Sequence, residues 1–106
     1  MSDDSNLIEL IEKDIMSFED VSRFPGIGFT GNIQKAIGID VANPAIKISE
    51  DDEELEINCE IIVYFGVSIP QLCYDIQTRV KQDIETIAGE RVKAVNIRIE
   101  GIDKRN

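Results

Sequence analysis

Histidine and tryptophan are absent from this chain of 106 residues, and cysteine, proline and aromatic residues are scarce. Without histidine there is no imidazole to activate a serine or cysteine nucleophile, and the commonest nitrogen ligand for zinc is missing. Conventional hydrolase chemistry is therefore disfavoured, and neither a catalytic residue, a metal nor a cofactor is expected. The two cysteines, Cys59 and Cys73, form no CxxC and sit within apolar patterns. They are expected as reduced core thiols of a cytosolic protein and not as a disulfide framework. Long apolar runs are also lacking, since none approaches the roughly 20 residues that span a bilayer. The start Ser2-Asp3-Asp4 is the reverse of a basic signal-peptide start. Cytoplasmic localisation without direct membrane insertion is the expectation.

Positive charge is the remaining shortage. Eleven lysines and arginines face 21 aspartates and glutamates, for a net charge of −10. Nucleic-acid and anionic-lipid surfaces are bound by bases placed against phosphates, so both are disfavoured as direct partners. What the chain does have is 42% apolar and 30% charged residues. That is enough to bury one core beneath a solvated surface, and the length fits one domain over residues 1–106.

From Ser5 onward, Leu7, Ile8, Ile11, Ile15 and Phe18 recur at helical spacing, with Glu9, Glu12, Lys13 and Asp14 assigned to the polar side. Ser5 is placed as the cap of this helix. The segment Phe24-Pro25-Gly26-Ile27-Gly28-Phe29-Thr30-Gly31 predicts irregular backbone before a short helix at Asn32 to Ile37. Ala45 to Ser49 and Leu55 to Phe65 read as a hairpin joined by the acidic run Glu50 to Glu54. On the longer strand Leu55, Ile57, Cys59, Ile61, Val63 and Phe65 share one face and Glu56, Asn58 and Glu60 the other.

The second helix carries the strongest signals. Ser68 and Gln71 have capping-box spacing, Val67 and Leu72 can staple, and Pro70 falls in the first turn. Ile69, Leu72, Cys73, Ile76, Val80, Ile84 and Ile87 form one stripe, and Gly89 stands where a left-handed terminator belongs. Val95, Ile97 and Ile99 then alternate with polar residues in a last strand. Strand, helix and strand in this order predict a parallel pair through a crossover. The fold class is α/β (α+β): a small mixed sheet of three or more strands with two main helices on one face.

Three motifs bear on function. Gly26, Gly28 and Gly31 spell GxGxxG, but the preceding element is helical where the dinucleotide motif needs a buried strand. Gly28-Phe29-Thr30-Gly31 is a GxxG loop with Lys35 nearby, the alternative being a KH-like clamp on an RNA backbone. The acidic balance counts against it, and tight turning is the plainer role of these glycines. The run Glu50 to Glu54 lacks calcium-loop spacing and reads as a solvated turn. For a protein-partner surface the candidates are Tyr64 and Ile62, where the polar face of the long strand turns apolar, and Phe29.

Gly66-Val67-Ser68-Ile69-Pro70, Ile76-Gln77, Val80-Lys81, Glu85, Gly89, Val95-Asn96-Ile97 and Gly101-Ile102 are similar in type and order to the alkaline shock protein family of Gram-positive bacteria. The resemblance is strongest over residues 55–102. It implies a cytoplasmic, non-enzymatic protein of the envelope stress response and cell-wall homeostasis. It also implies gathering at the membrane through a separate membrane-anchored protein, and the acidic surface and absent catalytic groups add the expectation of protein–protein association, a homo-oligomer included. The N-terminal half departs from the pattern, because Met1 to Asn6 is too short and polar to supply the family's initial strand.

Overall fold

The computed structural model describes residues 4–26 and 43–105. The glycine loop from Gly28 to Gly31, Phe29, Lys35 and the short helix expected at Asn32 to Ile37 lie outside the described residues.

Helix α1 spans Ser5–Met16, with Ile11 and Ile15 fully buried. The cap is Asp4, not Ser5, and the Ile8 N–H donates to the Asp4 carbonyl at 2.8 Å. At the other end the Ser17 hydroxyl donates to the Asp14 carbonyl at 2.6 Å, satisfying one of the terminal acceptors of the helix. Strand β1, Val21–Arg23, follows at once and is too short to show a period of two in sequence. Phe24 is buried, and Gly26 after Pro25 takes φ +76°, a left-handed turn position suited to glycine.

Strands β2 (Ile46–Asp51), β3 (Glu54–Tyr64) and β4 (Val92–Asp103) complete one mixed sheet. Central β3 pairs in parallel with β4 along its length. Its opposite edge is shared by two antiparallel strands, β2 against Glu54–Cys59 and β1 against Ile62 and Val63. Leu55, Ile57, Cys59, Ile61 and Val63 point into a single core beneath both helices. Phe65, expected on that face, is instead 75% exposed. Strand β3 ends at Tyr64, and Phe65 already lies in the turn that continues through Gly66 at φ +92°.

The acidic run is shorter as a turn than its composition implies. Only Asp52 and Glu53 leave the ladder, both with positive φ (54° and 65°), in the manner of a two-residue hairpin turn. Asp51 still pairs with Glu54, and each meets a cation, Lys93 of β4 at 2.5 Å from Asp51 and Arg91, just before β4, at 3.2 Å from Glu54.

Helix α2 runs Ile69–Asp83 and continues into a π-helical turn, Ile84–Ala88. Ser68 is the N-cap residue and Pro70 lies in the first turn, as the spacing requires. The capping box does not close, since the Gln71 amide donates to Asp75 at 2.8 Å. Leu72, Ile76, Val80 and Ile84 are buried, whereas Ile87 is 68% exposed. A π turn holds an extra residue per turn, which rotates Ile87 off the stripe it would occupy in an unbroken α-helix. Gly89 ends the element at φ +72° in the left-handed conformation expected of it.

Candidate functional site

Both helices cover one side of the sheet, so functional surface is sought on the other side and at its two ends. The uncovered side is polar: Glu56, Asn58 and Glu60 of β3 lie beside Asn96 and Arg98 of β4, with Lys47 on β2. The Asn96 amide donates to Asn58 at 3.0 Å, and Arg98 pairs with Glu100 at 2.5 Å. A shallow depression of about 400 Å³ crosses these residues. Its charges are mixed, with Lys47 and Arg98 beside Glu60.

At the C-terminal end of β3 the side turns apolar, where the alternation places Ile62 and Tyr64. Ile62 is 7% exposed, and Gly101 on β4 lies across from it. A Cβ at position 101 would sit 3.6 Å from the Ile62 side chain, an ordinary contact distance. Tyr64 is half-buried, with the Arg105 guanidinium 4.2 Å above its ring. Arg105 also donates to Asp20 and to the Glu19 carbonyl. Asp103 accepts from the Ser22 hydroxyl at 2.6 Å and from Arg23 at 3.1 Å, which holds its carboxyl below the usual range. The structure thus brings Ile62 and Tyr64 to one end, the tyrosine beneath a cation of its own chain.

Two residues assigned otherwise by sequence stand out. Asp14, placed on the polar side of α1, is 3% exposed at the α1–α2 interface. Among the described residues one carboxylate oxygen has no hydrogen-bond partner, and the other is 3.7 Å from Arg79, which reaches Asp83 at 3.1 Å. Burial, and then hydrogen bonding and repulsion from Asp83, push Asp14 up to about 7, against the opposing pull of Arg79 and Lys13. The signal was available, because Leu7, Ile11, Asp14 and Phe18 recur at helical spacing. Two carboxylates on one guanidinium can share a proton, yet Asp14 is sealed between helices, where substrate has no access. The second residue is Ile87, released from the stripe by the π turn.

The thiols offer no nucleophile. Burial pushes Cys59 up to about 12 and raises Cys73 also, which keeps both protonated near neutrality. Among the described residues, no group of three or more His, Cys, Asp or Glu side chains could hold a metal ion. Among them, too, no helix is long and apolar enough to cross a membrane.

These features define a small α+β domain with two helices on one face of a mixed sheet. The chain belongs to the alkaline shock protein 23 family, described as having a cell envelope-related function, whose model matches residues 8–104. It is also similar to the uncharacterized protein YloU of Bacillus subtilis (strain 168), at 30% identity over 61 residues. That alignment covers 58% of this chain and 51% of the relative, so the chain spans about half the length of the curated protein it matches. No solved structure matches the chain.

Proposed function

We propose that this domain is a non-enzymatic envelope-stress and cell-wall-homeostasis protein. It acts by protein–protein association and is recruited to the membrane by a separate anchor protein. The observation that carries the reading is the contrast between sealed chemistry and open contact surface. Asp14 and the thiol of Cys59 are shut inside, while Ile87 on the π turn, Phe65 in the turn after β3 and Ile102 on β4 stand exposed. Membership of an envelope-related family supports the same reading. A surface of net charge −10 favours a protein partner over phosphate-rich ones.

Cross-linking followed by capture from a membrane fraction tests this. The expected result is a membrane-anchored protein linked to the domain. Recovery of the free monomer alone at physiological concentration contradicts it.

A further inference from the structure

At the opposite end of β3 from Tyr64, the first turn of α1, the start of β3 and the π turn surround a groove of about 470 Å³. Its walls are aliphatic, formed by Leu7, Leu10, Leu55 and the exposed face of Ile87. Asp4, Glu50 and Glu90 line it as well, with no lysine or arginine among the described lining residues. The nearby Arg91 is turned to Glu54 at 3.2 Å. The positive end of the α1 dipole amounts to roughly half a charge and offsets only part of three carboxylates.

We propose that this groove docks a partner segment presenting an aliphatic side chain flanked by lysine or arginine. The inference rests on the association reading above and names the surface that performs it. Burying Ile87 and its neighbours supplies the apolar contribution, and the acidic rim selects basic flanks and speeds encounter. A second copy of this chain fits poorly, because its own charge of −10 opposes the rim. The groove is built at a π turn, which costs regular hydrogen bonding and places an isoleucine in solvent, a combination that recurs at functional positions.

The probe is an acetylated, amidated peptide with leucines four residues apart among lysines, titrated into the full ¹⁵N-labelled chain. Amide shifts are expected at Asn6, Leu7, Leu10, Leu55 and Ile87 to Glu90. Ile87→Ser should weaken binding about tenfold or more, a loss in the range of one buried aliphatic contact. Glu50→Gln with Glu90→Gln should weaken it and flatten its salt dependence. A peptide with glutamates for the lysines should not bind. Shifts scattered across the polar side of the sheet, or parental affinity in Ile87→Ser, overturn the proposal. So does concentration-dependent shifting of the same amides without peptide, which would assign the groove to a second copy. In membrane-fraction capture, a partner still held by Ile87→Ser overturns the groove while keeping association. Loss of capture by the parent chain removes the association reading itself.

Discussion

Ile76 and Ile87 belong to one helical stripe by spacing, yet Ile76 is fully buried and Ile87 is 68% exposed. The difference is the π turn at Ile84–Ala88, which changes the angular advance per residue at the C-terminal end of the helix. Hydrophobic periodicity therefore marks what a helix would bury if it stayed regular. Where regularity breaks, the same residue type passes from holding the fold to offering a surface.

The largest effect that separates the two positions is Ile76→Asp. A charge without a partner in the middle of the core should cost about 4 kcal/mol or more, read as loss of the cooperative urea transition. A parental transition would show that the stripe is not the core.

The next effect concerns the other residue that spacing alone places wrongly. Asp14 is raised in the folded chain from its ordinary 3.8 to about 7. The folded state thus holds a proton that the unfolded chain releases, and its stabilising contribution is complete below about 3.8. It declines as pH rises through about 7, by an amount on the order of 2 kcal/mol. In Asp14→Asn this decline should flatten, so that parent and variant converge in stability toward acid and separate toward alkali. Equal pH dependence in both would remove Asp14 as its source.

A smaller gain is expected at the hairpin. Asp52→Asn with Glu53→Gly replaces two residues at positive φ with those that take it readily, and should stabilise by about 1 kcal/mol in thermal unfolding. The smallest change is Ile87→Ser, whose stability should stay within about 0.5 kcal/mol of the parent, as for other exposed sites. A loss comparable to that from a core substitution would return Ile87 to the interior.

Legibility followed the regular elements. Strands β3 and β4 and helix α2 were readable because alternation and the 3.6-residue period hold through Leu55 to Val63, Leu72 to Ile84 and Val95 to Ile99. Gly89 and Ser68 were readable because their backbone requirements are local. Strand β1 was not, since three residues show no period and its place depends on Val21 meeting Val63 across the sheet. Gln71 found Asp75 on its own helix in place of the cap, a competition that spacing does not rank. Of the partner-surface candidates, Tyr64 and Ile62 lie at one end of β3, but Ile62 is 7% exposed and the Arg105 guanidinium over the Tyr64 ring comes from 41 positions away in sequence. The groove joins α1, β3 and the π turn, and only the folded chain brings these together.

The most direct test reads folding and binding at once, from amide spectra of the parent and Ile87→Ser before and after addition of the leucine–lysine peptide. Free spectra should overlay away from the π turn, and the peptide should shift only the parent's groove residues. Equal shifts in both proteins, or a collapsed spectrum for Ile87→Ser alone, would contradict the division between a buried stripe and a released docking residue.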